Sequence, residues 1–223
     1  MASYFKKAKR NARILILDSN DRFAKQALFQ QGWRDLYGDT IRWQSASNDG
    51  RVIRVEPASM HVHTDFDTYQ PDVANIIPPQ QAGDIAHRAG VTDSSGWCPV
   101  ESLSFESNRQ TNIHVIGDAA IAAPMPKSAF AANAQAKVCA IALVRLFRGL
   151  RPEPTVLANT CYSYLKLAHA ISITGAYRTD NGGFSAIAGA GGASPIDATQ
   201  FFRQQEAAHA ADWFTAITRE TFG

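Results

Sequence analysis

Along the first third of the chain, short apolar runs alternate with segments whose apolar residues recur at helical spacing. Arg13–Asp18 is apolar throughout its interior, which is typical of a buried strand in a parallel sheet, and residues 22–37 follow it with helical spacing. Further strands are predicted at Arg51–Glu56, Met60–Thr64 and Val73–Ile77. This order predicts an α/β fold. No glycine stands between the first strand and Gly32, so a G-x-G-x-x-G dinucleotide turn is absent there.

The rest of the chain predicts a long helix followed by a hairpin. A long apolar stretch begins near Ser128, and Gly149 and Pro152 are stop signals for a helix. The last predicted helix carries Ala210, Trp213, Phe214 and Ile217 on one face. The predicted elements, in chain order, are a helix at 81–89, a strand at Asn112–Ile116, a helix at Ser128–Phe147, a linker at 150–158, hairpin strands at Ile171–Tyr177 and Phe184–Ile187, a Gly-rich loop, and a helix from about Asp197.

Charge and composition exclude several classes of protein. The 223 residues carry 22 Lys and Arg against 20 Asp and Glu, and 45% of them are hydrophobic, so a disordered, collagen-like or coiled-coil chain is excluded. A net charge of +2 does not favour nucleic-acid binding. We expect no membrane span, because the nearest apolar run, Val138–Phe147, is interrupted by Arg145.

The basic N-terminus is interpreted as the exposed face of a helix at 3–12. Its apolar stretch, Ile14–Leu17, is shorter than the about 7–15 apolar residues of a secretion signal, so we expect no export signal in this chain. The basic residues are Lys6, Lys7, Lys9, Arg10 and Arg13.

Gly117 and Asp118 form the strongest local signal for a binding site. If a strand ends at Gly117, Asp118 lies at the carboxyl edge of a sheet, where the sugar hydroxyls of nucleotide cofactors commonly bind. The following helix begins near Lys127 and Ser128, and its free N–H groups are suited to a phosphate or an electron-rich ring. A capped turn with an exposed aspartate fits the same spacing equally well.

The three cysteines differ in their surroundings. Cys139 lies within the apolar helical stretch and is interpreted as a core residue. Cys98 and Cys161 lie in or beside loops, where a reactive sulfur can be presented, and spacing alone does not choose between them.

The histidines do not predict a metal site. His61 and His63 share one face of a predicted strand without a nearby carboxylate or cysteine cluster, and we expect a solvated strand there. His114 and His169 are expected to be structural, and no Ser/His/Asp order stands out.

Several segments, taken together and in order, resemble the flavoprotein subunit of flavocytochrome c sulfide dehydrogenase. The most specific is Thr111–Ala119 followed by Pro124–Ser128, which resembles the second flavin-contacting segment of that family. The others are Ile16–Ser19, Ile77–Gln80, Gly96–Val100, Asn159–Ser163 and Thr221–Gly223.

This resemblance implies a partial glutathione-reductase-like FAD/NAD(P)-binding fold with a C-terminal α+β domain. It implies an enzyme that oxidises sulfide to sulfur and passes electrons through FAD to a c-type cytochrome subunit in the periplasm. By similarity, Gly117 and Asp118 bind the ribityl or phosphate region, and the amides around Lys127 and Ser128 lie near the pyrimidine edge of the flavin. Cys161 matches one cysteine of the family's redox disulfide, and Trp213 matches an aromatic residue close to the flavin ring.

The sequence departs from the family in its first half. The Gly-rich FAD turn, the cysteine that attaches the flavin and the other disulfide cysteine have no counterpart here. The expected parts are the remainder of an NAD-domain-like module (1–77), the C-terminal part of an FAD-binding domain (78–150) and a flavin-binding C-terminal domain (151–223). We expect a fragment that binds FAD weakly unless a separate N-terminal half is supplied. A sulfide:quinone-type or NADH-dependent flavin disulfide reductase relative, or a truncated non-catalytic module, are the alternatives.

Overall fold

In the computed structural model, residues 1–8, 11–180 and 182–223 are described, and helices and sheets alternate as a mixed α/β chain. Part of the predicted basic helix, Lys9 and Arg10, lies outside the described residues. The helices are α1 (Ala2–Ala8), α2 (Gln26–Tyr37), α3 (Asp84–Arg88), α4 (Ala129–Phe147) and α5 (Gln200–Phe222). The strands are β1 (Ile14–Leu17), β2 (Ile41–Gln44), β3 (Arg54–Glu56), β4 (His61–His63), β5 (Thr68–Tyr69), β6 (Cys98–Pro99), β7 (Ala120–Ile121), β8 (Val156–Lys166), β9 (His169–Asp180) and β10 (Gly183–Ala193).

Over the described residues, the strands form four separate sheets. β1 pairs in parallel with β2, as expected for strands joined by the helix α2, and β6 pairs in parallel with β7. The antiparallel sheets have the orders β3-β4-β5 and β10-β9-β8. The predicted early strands and the C-terminal hairpin are therefore confirmed, and the hairpin continues into a third strand.

Two predicted strands are wrong. At Val73–Ile77 the backbone is irregular, and Val73 and Ile77 are each 76% exposed. At Asn112–Ile116 the backbone makes a single bridge, between His114 and Glu106. A strand is stable only when a neighbouring strand accepts and donates its backbone hydrogen bonds. Within the described part of the chain, neither apolar run has such a neighbouring strand.

The predicted linker and Gly-rich loop are shorter than expected. β8 begins at Val156, inside the predicted linker, because Leu157 is buried. The Gly-rich segment continues β10 to Ala193, with a shift of register between Ala186 and Gly191. Gly191 lies so close to the backbone of β9 that a side chain there would collide with it, so this glycine permits the pairing.

Two hydrophobic clusters hold β8 in place. On its first half, Leu157 packs with Phe105 and with Cys139 of α4. On its second half, Leu165 packs with Leu28 of α2 and Ile171 of β9. β8 is consequently fixed between α4 and α2.

α4 is long and apolar enough, by length and composition, to cross a membrane. It has 19 residues and a mean hydropathy of 1.3, and 22% of the apolar window is buried in the fold. It is the one such helix found among the described residues. Core helices of soluble proteins meet the same criteria, and the face of α4 that carries Ala131, Gln135, Cys139 and Ala142 is buried.

Candidate functional site

The N-terminus of α4 is the centre of the site. Ser128 has extended backbone angles and caps the helix, since its Oγ accepts a hydrogen bond from Ala131 N at 3.1 Å. Only one first-turn amide is satisfied in this way, and the preceding amides have no partner within the helix. These free amides and the positive end of the helix dipole together favour a negatively charged or electron-rich group.

Gly117 and Asp118 lie beside this terminus in a short 3₁₀ turn, Gly117–Ala119. Gly117 adopts a positive φ of 73° and donates its N–H to Gln135 Oε1 of α4 at 2.7 Å. The sequence placed Asp118 after a strand, and this is wrong, because the turn instead precedes β7. The Asp118 side chain is exposed. Asp118 lies near the start of α4, as predicted, but it does not lie at the carboxyl edge of a sheet.

Lys127 joins the turn to the helix. Its Nζ donates to the carbonyl oxygens of Asp118 at 2.5 Å and Ala120 at 3.0 Å, and lies 3.8 Å from the ring centroid of Trp97. Partial burial of the ammonium group lowers the pKa of Lys127, and the nearby Asp118 carboxylate opposes this effect. The cation fixes the turn against α4.

A chain of hydrogen bonds connects the helix terminus to Cys161 on β8. Ser128 Oγ lies 2.5 Å from Asn159 Oδ1, and Asn159 Nδ2 lies 3.4 Å from Cys161 Sγ. Asn159 is buried and Cys161 is half-buried. The predicted residues Lys127, Ser128 and Cys161 are therefore brought together, with Asn159 between the last two.

Lys25 supports Cys161 from the segment that precedes α2. Its Nζ donates to the Cys161 carbonyl oxygen at 2.7 Å and to Ser163 Oγ at 2.9 Å. Burial lowers the pKa of Lys25, while the nearby Cys161 and Glu206 act in the opposite direction. This cation ties the cysteine-bearing strand to the N-terminal part of the chain.

Trp213 on α5 completes an aromatic group next to the helix terminus. Its ring stacks on Phe130, in the first turn of α4, with centroids 5.6 Å apart and an angle of 10°, and lies 6.5 Å from Tyr162. Burial raises the pKa of the Tyr162 hydroxyl. Trp213 thus reaches Phe130 and the strand residue next to Cys161.

Two family models match the chain. The model of the sulfide dehydrogenase [flavocytochrome c] flavoprotein chain, central, matches residues 1–78. The model of flavocytochrome c sulphide dehydrogenase, flavin-binding, matches residues 153–222, which include Cys161 and Trp213. The chain belongs to the flavocytochrome c sulfide dehydrogenase flavoprotein family. This membership makes it a flavin-dependent oxidoreductase chain with FAD as its cofactor. Gly117, Asp118, Lys127 and Ser128 lie between the two matched ranges.

Within this flavoprotein chain, the structure distinguishes the cysteines that spacing left open. Cys98 is fully buried, and burial raises the pKa of its thiol, although Lys127 opposes this effect. Cys139 is also buried in the core, which confirms its predicted environment, and its thiol pKa is likewise raised by burial. Because the thiolate is the reactive form, the partly exposed Cys161 is the best-placed reactive sulfur.

The histidine pair has a carboxylate neighbour that the sequence analysis missed. The antiparallel register places Glu56 opposite His61, so its oxygens lie 3.8 Å from His61 Nδ1 and 3.5 Å from His63 Nε2. Arg54 forms a 2.5 Å ion pair with the same carboxylate. Over the described ranges, no group of three His, Cys, Asp or Glu residues is arranged to hold a metal ion.

Asn159, Phe130 and Lys25 are site residues that the sequence analysis did not select. Asn159 had a usable signal, because residues two apart on a strand lie on the same face and Asn159 precedes Cys161 by two. Lys25 had none, because it reaches Cys161 across 136 residues of sequence.

Proposed function

We propose that this chain forms one side of the flavin site of a sulfide-oxidising enzyme that delivers electrons to a c-type cytochrome subunit. The single observation that supports this is the direct connection between the capped N-terminus of α4 and Cys161 through Asn159. A helix terminus that favours an electron-rich ring and a half-buried sulfur therefore lie side by side.

The residues present fit one edge of FAD. A cleft of about 10 Å³ lies between the Gly117–Ala119 turn and α4. Pockets that enclose whole ligands span about 300–1,000 Å³, so the turn and the helix terminus offer contacts to one edge of the cofactor and do not enclose it. Its first-turn amides and the Lys127 cation are suited to the polar edge of the ring, and the exposed Asp118 carboxylate can accept hydrogen bonds from hydroxyl groups.

The rest of the cofactor requires a second unit. We propose that a Rossmann unit with the Gly-rich phosphate turn completes the glutathione-reductase-like fold. In this arrangement residues 1–77, 78–150 and 151–223 are the NAD-domain-like remainder, the end of the FAD domain and the flavin-binding C-terminal domain. The periplasm is the proposed compartment, by similarity to the family.

The chemistry is divided between cofactor and protein. Bound FAD supplies a two-electron acceptor that can release electrons singly to a haem. Cys161 would provide one sulfur of a redox disulfide whose other cysteine would come from the proposed Rossmann unit. Hydrosulfide would attack one of the two sulfurs to form a persulfide as the S–S bond breaks, and the other sulfur would leave as a thiolate. The α4 terminus stabilises negative charge beside it, and the stacked rings of Phe130 and Trp213 limit the access of water.

Cofactor binding and turnover test the proposal together. We expect tight retention of FAD to require a Rossmann unit that carries the Gly-rich phosphate turn, as measured by flavin absorbance after gel filtration of residues 1–223 with and without such a unit. In that complex, Cys161→Ser should keep the flavin and lower sulfide-dependent cytochrome c reduction by at least about a hundredfold. Cys139→Ala, at a buried cysteine away from the α4 terminus, is the control. Unchanged cytochrome reduction in Cys161→Ser removes this cysteine from the mechanism.

A further inference from the structure

The buried side chain of Asn159 makes hydrogen bonds that packing of the core alone does not require. It is 2% exposed; its Oδ1 faces the cap of α4, and its Nδ2 faces Cys161 on the same strand, whose Sγ also lies 3.9 Å from the Oδ1. Ser128 Oγ already accepts from Ala131 N, so its own hydrogen is free to be donated to Asn159 Oδ1. This orientation leaves the amide N–H₂ of Asn159 directed at Cys161 Sγ.

We propose that Asn159 is a positioning residue that stabilises the thiolate of Cys161 and links it to the dipole of α4. This inference rests on the proposed function only in taking Cys161 as the reactive sulfur. An N–H donor gains strength when its acceptor becomes charged, and successive hydrogen bonds polarise one another. The positive end of α4 thereby acts on the sulfur through two side chains.

Other charged and titratable groups also face this sulfur. Lys25 lies behind it, bound to the Cys161 carbonyl oxygen, and Tyr177 of β9 is close enough to interact with it electrostatically. Both residues stay unchanged in the variants chosen below. A difference between those variants and the unmodified chain therefore reports on the hydrogen-bonded chain itself.

The test is the rate at which iodoacetamide alkylates Cys161 in the reduced chain, followed by peptide mass spectrometry between pH 5 and pH 10. Asn159→Leu, of similar volume, removes the N–H donor without adding a charge beside the sulfur. We expect alkylation at pH 7 to slow about tenfold and the midpoint of the pH profile to rise by about one unit, since hydrogen bonds to charged groups have this strength.

Ser128 variants test the link to the helix. Ser128→Ala should slow alkylation about two- to fivefold, the range of a helix-terminus effect, and Ser128→Thr should restore the rate because it retains the hydroxyl. Ser104→Ala, at a buried serine bound to Glu101, controls for general destabilisation and should leave the profile unchanged. Circular dichroism verifies that each variant is folded.

Equal rates and equal midpoints in Asn159→Leu, Ser128→Ala and the unmodified chain overturn the inference. If Asn159→Leu does not fold, the comparison of Ser128→Ala with Ser128→Thr decides it, and equal rates in those two variants overturn it. Alkylation requires neither FAD, sulfide nor cytochrome. An altered alkylation profile in an enzyme without sulfide oxidation would therefore contradict the proposed function and leave this inference standing.

Discussion

His169 begins β9 and faces the cavity between α2 and the C-terminal sheet. Burial lowers its pKa below the usual 6.5, and the positive charges of Arg203 and Lys166 add to this effect. Glu206 and Asp35 act in the opposite direction but do not reverse it. The folded chain therefore resists protonation of this ring more than the unfolded chain does.

The stability of the fold should consequently fall in mild acid. Above pH 6.5 the ring is neutral in both states and contributes no pH dependence. As the pH falls through 6.5, the unfolded chain binds a proton that the folded chain does not, so the free energy of unfolding decreases until the folded ring also protonates.

Urea unfolding between pH 7.5 and pH 5 measures this effect. His169→Gln should flatten the pH dependence in that window, and His209→Gln, at an exposed histidine of α5, controls for the loss of an imidazole. A slope in His169→Gln equal to that of the unmodified chain would show that other groups cause the pH dependence.

The site was only partly predictable from individual residues. The position of Ser128 before an apolar helix is a local signal, and the structure confirms that it caps α4. The choice of Cys161 over Cys98 was not available from spacing, because it depends on burial by distant elements. Asn159 had a local signal in its spacing of two residues from Cys161, but its contact with Ser128 depends on the packing of α4 against β8.

At the scale of elements, α2 packs on β8 through a glycine. A Cβ at Gly32 would collide with Cδ1 of Leu165, which is buried. Glycine normally costs a helix about 1 kcal/mol relative to alanine, and forcing a buried side chain to move costs about 1–3 kcal/mol. Close packing of α2 on β8 therefore favours glycine over alanine at position 32.

Gly32→Ala should lower the free energy of unfolding by about 1 kcal/mol, the difference between these two effects, as measured by urea denaturation. The same change in a Leu165→Val background should be neutral or stabilising, because the colliding methyl group is absent. A loss of equal size in both backgrounds would show that the collision is not the cause.

Elements whose signals are local were predicted well. α4 and α5 have capping residues and long helical stretches, and the hairpin of β9 and β10 has a Gly-rich turn. The strands predicted at Val73–Ile77 and Asn112–Ile116 failed because an apolar run shows that burial is favourable without showing which strand lies beside it. Sheet pairing is a property of distant segments.

At the scale of the whole molecule, the two matched parts of the chain share one core. Leu28 from the first part packs with Leu165 and Ile171 from the second, and Tyr37 donates its hydroxyl hydrogen to the Leu165 carbonyl oxygen. Lys25 adds its bond to the Cys161 carbonyl oxygen. These contacts predict that α2 and β8 unfold together.

Hydrogen exchange measured by mass spectrometry tests this coupling. The amides of α2 and β8 should open with the same free energy in the unmodified chain. Leu165→Ala, which removes about 2–5 kcal/mol of packing, should lower the opening energy of α2 more than that of the hairpin between β9 and β10. Leu146→Ala, at an exposed leucine of α4, is the control. Separate opening energies for α2 and β8 in the unmodified chain would contradict the shared core.

The stack of Trp213 on Phe130 has an optical consequence. Indole emission overlaps the absorption of oxidised flavin, and Trp213 lies against the first turn of the helix where the ring edge is proposed to bind. Energy transfer over so short a path would quench this indole strongly. Trp213, together with Trp97 beside Lys127, is thus a native donor from which the arrival of the cofactor can be timed without an added dye.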